Sequence, residues 1–344
     1  MSRAGGAAGA LRVVSSTLAG QSIAQAVEAL YPLGRVVSCQ LARRGFNHVY
    51  EMQVEGGQRY VARLSAHRPR GEPNISFETA LLFHLKGMGA AVAEPVLAKG
   101  GKAWCELTVA EGVRTLAVFR FLDGDLPGDA LPDIEAMGMG LAQIHRLSRS
   151  YQGPASCYRL DMQHLLARPL AALLTASTMD DAMRANLAAL GKRLEQRVAA
   201  FGPLTGVTCH GDCHGGNTFV TDGPGKTRVA SFFDFDDAGP GYLAYDLAVY
   251  LWGMQMDSSD AINAAKLGLW QHFLRGYRQV SPIADQDFEA IAAFVPIRHI
   301  WLLGERASRI HEWGTQALPA SWLRKQLVWM VAWEALPTPS FGLP

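Results

Sequence analysis

The sequence lacks a surplus of charge of either sign: 32 Lys and Arg are set against 31 Asp and Glu, mixed along 344 residues. A nucleic-acid partner calls for a basic patch that offsets phosphate charge, so none is expected. Charge of any kind is sparse, at 18% of residues against 49% apolar, which separates the chain from disordered sequences and allows a sizeable core. Long apolar runs are also missing. The richest, Leu247 to Met256, is about half of the ~20 residues that a membrane-spanning helix needs, so no membrane partner is expected. A disulfide framework is absent too, because Cys39, Cys105, Cys157, Cys209 and Cys213 are odd in number and irregular in spacing. That usage fits reduced thiols in a cytoplasmic protein. Residues 1–20 place Arg3 and Arg12 among Gly, Ala and Ser without the apolar core of a secretory signal, and a flexible leader is expected there.

What is present divides into a strand-rich part and a helix-rich part. His48 to Val54 alternates Tyr50, Met52 and Val54 on one face, turns at Glu55-Gly56-Gly57-Gln58 and returns as Arg59 to Leu64, which predicts an antiparallel hairpin. Further strands are expected at Ala93–Ala98, Ala103–Val109 and Thr115–Phe121, split by glycine-bearing turns. Between the two clusters, residues 75–86 repeat Leu81, Leu82 and Leu85 at helical spacing with Glu78 on the same stripe. A carboxylate turned toward an apolar interior needs a cation, and Arg63 at the end of the preceding strand is the nearest in sequence. From Leu131 onward helix-period patterns dominate, over 134–146, 183–201, 244–254, 261–277, 287–310 and 322–334, interrupted by one hairpin from Thr218 to Phe233.

That hairpin is flanked by the residues that carry chemistry. Before it runs Cys209-His210-Gly211-Asp212-Cys213-His214-Gly215-Gly216-Asn217, and after it Asp234-Phe235-Asp236-Asp237. Phosphoryl transfer to a hydroxyl needs a carboxylate for the hydroxyl proton and oxygen ligands for a divalent ion on the polyphosphate. Protein kinases set an Asp and an Asn five residues apart in the catalytic loop and follow with a metal-binding Asp. Asp212, Asn217 and Asp234 have that arrangement.

Over residues 200–250 the chain resembles the aminoglycoside phosphotransferase, choline kinase and homoserine kinase superfamily, whose H-G-D-x-x-x-x-N loop, I/F-D-F segment and Y-D-I/L-A motif match His210–Asn217, Phe233–Phe235 and Tyr245–Ala248. The loop is also similar to that of bacterial stress response kinase A. The resemblance implies an α+β, protein-kinase-like fold, with a small antiparallel-sheet N-lobe for nucleotide over 21–123 and a larger helical C-lobe over 124–344 with the catalytic loop and acceptor site. It implies ATP and Mg2+, with Asp212 catalytic, Asn217 and Asp234 on the metal, and His210 and Asp246 as structural support. Arg63 takes the strand position where protein kinases have a phosphate-binding lysine, with Glu78 as its helix partner. Gly45 and Asn47 stand in a reduced glycine loop over the phosphates, and Phe119 and Phe121 in the hinge behind adenine. Asp236 is a candidate for metal or substrate.

Two lookalikes fall away. Cys209, His210, Cys213 and His214 come from one short stretch without a second ligand pair, unlike a closed zinc site. Gly223-Pro224-Gly225-Lys226-Thr227 ends like a phosphate-binding loop but leads into a strand rather than a helix. Trp301 and Glu305, on an aromatic-rich helix, could hold a cationic substrate, although tryptophan at that spacing also suits core packing. The expected acceptor is a small hydroxyl metabolite such as homoserine, choline or an amino alcohol. The alternatives are a protein Ser/Thr kinase of the stress response kinase A type, an aminoglycoside phosphotransferase, and an inactive nucleotide-binding regulator.

Overall fold

The computed structural model describes residues 11–66, 74–256 and 258–340. They form two compact units: one holds the chain up to residue 66 with Val96–Phe119, the other holds Asn74–Pro95 and the chain from Arg120 onward.

The first unit contains helix α1 (Gly20–Leu30) and the strands β1 (Val36–Arg44), β2 (Asn47–Val54) and β3 (Arg59–Ser65). Helix α2 (Ile75–Gly87) belongs to the second unit, after which β4 (Trp104–Val109) and β5 (Gly112–Arg120) complete a sheet of order β1-β2-β3-β5-β4. Period-2 alternation drives it. Tyr50, Met52 and Val54 on β2 are buried with Tyr60, Ala62 and Leu64 on β3, and the register sets Tyr50 opposite Ala62 and Met52 opposite Tyr60. Helix α1 lays Ile23 and Val27, one turn apart, on this face. Each such buried aliphatic side chain contributes roughly 1.5–3 kcal/mol.

Five strands are found, but the fifth is β1 rather than Ala93–Ala98. Pro95 has no N–H to give to a ladder, and the segment pairs only through isolated bonds such as the Val96 N–H to the Val118 carbonyl at 2.8 Å. β1 escaped the alternation test because it is an edge strand, mostly exposed, with register shifts between Val36 and Ser38 and between Leu41 and Arg43. The expected leader is tied down near its end. The Ser16 N–H donates to the Glu111 carboxylate at 3.1 Å, and Arg114 and Tyr50 donate to the carbonyls of Ser16 and Leu18 at 2.9 and 2.8 Å. Residues 1–10 of that leader lie outside the described residues.

The second unit is helical: α3 (Leu131–Leu147), α4 (Arg168–Leu174), α5 (Asp181–Ala200), then β6 (Gly206–Cys209), the hairpin β7 (Thr218–Asp222) and β8 (Arg228–Phe232), β9 (Gly239–Tyr242), α6 (Leu243–Gln255), α7 (Ala264–Arg278), α8 (Asp285–Ala307), α9 (Ile310–Trp313) and α10 (Ala320–Glu334). Helices α3 and α7 approach backbone to backbone through Gly138 and Gly276, where an added Cβ would fall 1.8 Å from the Phe273 carbonyl and 1.9 Å from that of Glu135. Helix α6 is apolar and buried on nearly all sides, as a central helix should be. No helix of the described residues is long and apolar enough to cross a membrane. The short β6, paired antiparallel with β9, had no legible pattern, because four residues cannot establish a period.

Candidate active site

The loop leaving β6 turns sharply at Gly211, whose φ is +86° and whose missing Cβ would lie 2.2 Å from the Asp237 carbonyl oxygen. Only glycine fits that passage. Beneath the loop, Asp246 in the first turn of α6 is fully buried. It accepts the backbone N–H groups of His210 and Gly211, one on each oxygen, at 2.8 Å each. His145 on α3 donates from Nε2 to Asp246 Oδ2 at 2.8 Å, and the Tyr277 hydroxyl on α7 bonds His145 Nδ1 at 2.8 Å. Burial alone would raise the Asp246 pKa, but the bond to His145 and that ring's charge outweigh it and hold the carboxyl low. The buried anion thereby fixes the loop backbone from below.

His210, with no exposed surface, donates from Nε2 to the Phe233 carbonyl at 3.1 Å and accepts the Asp212 N–H on Nδ1 at 3.3 Å, an arrangement that suits the neutral ring. Burial pushes its pKa down against the pull of the Asp246, Asp212 and Asp234 carboxylates, whose charges all reach it. The two halves of the candidate site are stitched through this histidine and through Asn217. The Asn217 side-chain amide donates to the Asp212 backbone carbonyl at 3.0 Å, and the backbone carbonyl of Asn217 accepts the Phe233 N–H at 3.1 Å. With the amide nitrogen so engaged, Oδ1 of Asn217 is the atom left for a cation. Asp234, next to Phe233, is the one non-glycine among the described residues with positive φ, at 64°. Its left-handed backbone ends β8 and starts the turn Phe235–Asp237. Asp236 lies in that turn, half-buried, and its carbonyl accepts the Tyr158 hydroxyl at 2.7 Å.

The Asp212 carboxylate receives the Arg298 guanidinium on Oδ1, and His214 Nε2 stands 3.5 Å from the same oxygen. The His214 ring is turned that way because its Nδ1 accepts the Gly216 N–H at 2.9 Å. Burial would raise the Asp212 pKa, but Arg298 first and His214 second more than reverse it, holding the carboxyl well below the usual range.

The remaining expected residues are placed as follows. Gly45 links β1 to β2, its N–H donating to the Asn47 carbonyl at 3.0 Å, and Asn47 is buried. Arg63 is buried near the end of β3 with its guanidinium 5.2 Å from the Phe119 ring centre. Glu78 is buried on α2, and Phe121 follows β5 half-buried. Trp301 and Glu305 both lie inside α8: Trp301 packs on Arg298 with 4.4 Å from guanidinium carbon to ring centre, and the Glu305 carboxylate accepts from Arg168 at 2.5 Å. Both are buried, and they are engaged by arginines of the chain itself. Sequence reasoning missed His145, Arg298 and Tyr277, and gave Tyr245 no role beyond its place in the motif. The available signal was polar side chains within apolar helix runs, such as Arg298-His299 between Ile297 and Ile300.

Residues 38–283 match the model of the phosphotransferase enzyme family. An uncharacterized protein of Deinococcus radiodurans is 33% identical over 93% of this chain and 91% of its own length. A homoserine kinase of Paramagnetospirillum magneticum is 28% identical, covering 76% and 78%, and stress response kinase A of Salmonella paratyphi A is 26% identical, covering 82% and 81%. Among solved structures, a microcompartment-associated aminopropanol kinase superposes with TM-score 0.70 at 22% identity, over 92% of this chain and 96% of that one. An amicoumacin kinase in complex with AMP-PNP and Ca2+ reaches TM-score 0.72 at 21% identity, over 93% and 95%. The two structures share the kinase-like fold.

Proposed function

Because the chain belongs to the phosphotransferase enzyme family, whose members here are kinase-like, we propose that it transfers the γ-phosphoryl group of ATP to a hydroxyl of a small metabolite of homoserine or amino-alcohol type. The observation that carries this reading is the stitching of the loop. His210 and Asn217 bond both to Asp212 and to Phe233 at 3.0–3.3 Å, which links the Asp212 loop to the backbone beside Asp234.

The donor set suits a hard cation. Asn217 Oδ1 and the Asp234 carboxylate are oxygen ligands, and no group of three or more His, Cys, Asp and Glu able to hold a metal occurs among the described residues. Mg2+ takes few protein oxygens and completes its shell with phosphates and water, so two ligands fit it. The bound ion would neutralise charge on the phosphates. In the transfer, the acceptor oxygen bonds to the γ-phosphorus as the bond to the ADP oxygen breaks, and the hydroxyl proton passes to the Asp212 carboxylate. A carboxylate held that acidic is a weak base, so Asp212 acts first by orienting the hydroxyl and takes the proton late, as a loose transition state permits.

A cavity of about 390 Å³ lined by His214, Gly216, Tyr250, Trp252, Met254 and Met256 adjoins the loop. Its volume fits a small metabolite. His214 lines it while facing Asp212, which makes it our acceptor pocket. We carry phosphate or adenine contact by Gly45, Asn47, Arg63, Glu78, Phe119 and Phe121 as part of the same proposal.

Labelled ATP offered to purified protein with a panel of hydroxyl metabolites, and separately with a generic protein acceptor, tests the reading. Transfer to a metabolite is expected, falling by about 10²- to 10⁴-fold in Asp212→Asn, the usual scale for a positioned proton acceptor. Label on protein alone would move the enzyme to the Ser/Thr kinase reading, and no ATP turnover at all would leave only the inactive regulator.

A further inference from the structure

We propose that Arg298 is a positioning residue for the catalytic carboxylate: it occupies Oδ1 of Asp212, fixes the plane of the carboxylate, and thereby presents Oδ2 to the acceptor hydroxyl. This rests on the phosphotransferase reading of Asp212 given above.

The geometry is that of a clamp. Arg298 is 2% exposed while Asp212 is 21% exposed, so a cation rooted in the core reaches out to a carboxylate at the surface of the loop. Its guanidinium stands against two indoles, with ring centres 4.4 Å away for Trp301 and 4.9 Å for Trp252. Nη1 donates to the Tyr245 hydroxyl at 3.4 Å, and that hydroxyl donates to the Gly211 carbonyl at 3.3 Å, so the arginine grips the loop at two points. Trp252 is itself held, its Nε1–H donating to His299 Nδ1 at 3.1 Å and the far nitrogen of His299 bonding Gln326 on α10 at 2.8 Å. A guanidinium packed on two rings cannot swing away without losing both contacts. His214 approaches the same Oδ1. With both cationic or N–H groups on one oxygen, the acceptor hydroxyl falls to the other. A purely architectural arginine in this core would be equally well served by a carboxylate away from the reacting loop, as Arg168 is by Glu305.

Slow hydrolysis of ATP, in which water stands in for the acceptor, gives a readout that needs no knowledge of the substrate. It is measured in single turnover for the natural protein, Arg298→Met, Arg298→Lys, Asp212→Asn and the double variant Asp212→Asn/Arg298→Met, alongside AMP-PNP affinity. Arg298→Met is expected to lower the rate by about 10²-fold, the scale of an ångström-sized misplacement, with AMP-PNP affinity unchanged to within roughly threefold. Arg298→Lys, which keeps the charge but not the fork, should recover part of the loss. The double variant should be no slower than Asp212→Asn alone, because the arginine acts only through that carboxylate. A natural rate in Arg298→Met, or losses that multiply in the double variant, would overturn the proposal while leaving the role of Asp212 intact. An undiminished rate in Asp212→Asn would instead remove the functional reading beneath it. Should Arg298→Met not fold, Arg298→Lys decides alone: about a tenfold slower rate at unchanged AMP-PNP affinity is expected, and a natural rate rejects the clamp.

Discussion

The sheet unit and the helical unit both bury an arginine, and they use it in opposite ways. In the sheet unit Arg114 is 5% exposed and donates mainly to backbone carbonyls, those of Leu64 and Ser65 at 3.1 Å and of Ser16 at 2.9 Å, with the Glu111 carboxylate at a longer 3.4 Å. It clips the end of β3 to the segment that precedes α1. In the helical unit Arg298, equally buried, donates to the Asp212 carboxylate and the Tyr245 hydroxyl. Where strands supply carbonyls, a buried cation can be satisfied by the main chain. Among helices free carbonyls remain only at ends and turns, where Arg184 finds those of Ala176 and Met179, so Arg298 in the middle of α8 meets side chains instead. The Arg114 charge is therefore scaffolding, whereas that of Arg298 lies against the carboxylate proposed as catalytic.

The contrast can be broken most forcefully at Asp246. Asp246→Asn removes the anion that accepts from His145 and from two loop N–H groups. Breaking such a buried pair should cost about 3–5 kcal/mol, read as a lower urea midpoint, and slow ATP turnover with it. A loss below about 1 kcal/mol would mean that the brace is ornamental. In the sheet unit, Arg114→Met frees three carbonyls and the Glu111 carboxylate and should cost on the order of 3 kcal/mol, less than the sum of bonds to a charged group because water reaches the part-buried Ser16 and Glu111 ends. Amide exchange should then speed up along Arg59–Ser65 and around Ser16 while α6 stays protected. Equal deprotection of α6 would erase the distinction between the units.

The smallest effect compares two buried histidines, one in each unit. Burial, then Arg114 and Arg44, pushes the His48 pKa down to about 4, and burial chiefly pushes His299 down to about 4. The unfolded chain takes up these protons near pH 6.5 and the folded chain only near 4, so each contributes stability that is full above about 6.5 and declines as pH falls toward 4. The loss is on the order of 2 kcal/mol per histidine between about pH 7 and 5. His48→Gln and His299→Gln should each flatten that decline in urea titrations at graded pH. A slope unchanged in either variant would show that the ring is protonated without cost.

Asp212, Asn217 and Asp234 could be picked out from the sequence because the chain brings them close by itself: a five-residue step and a short hairpin need no distant partner. The hairpin β7–β8 and the long helices were legible for the same reason, since periodicity is a property of neighbours. The edge strand β1, with its register shifts, and the four-residue β6 carried too little pattern to be read.

What only the tertiary structure decided is how these groups are held. His145 meets Asp246 across 101 residues and Arg298 meets Asp212 across 86, and nothing in local spacing announces either pair. Sequence alone determines which side chains are able to do chemistry, because residue type and near-neighbour spacing are written along the chain. Their orientation and acidity depend on burial and on charges that helices α3, α6 and α8 bring together, and those distances exist only once the helices pack.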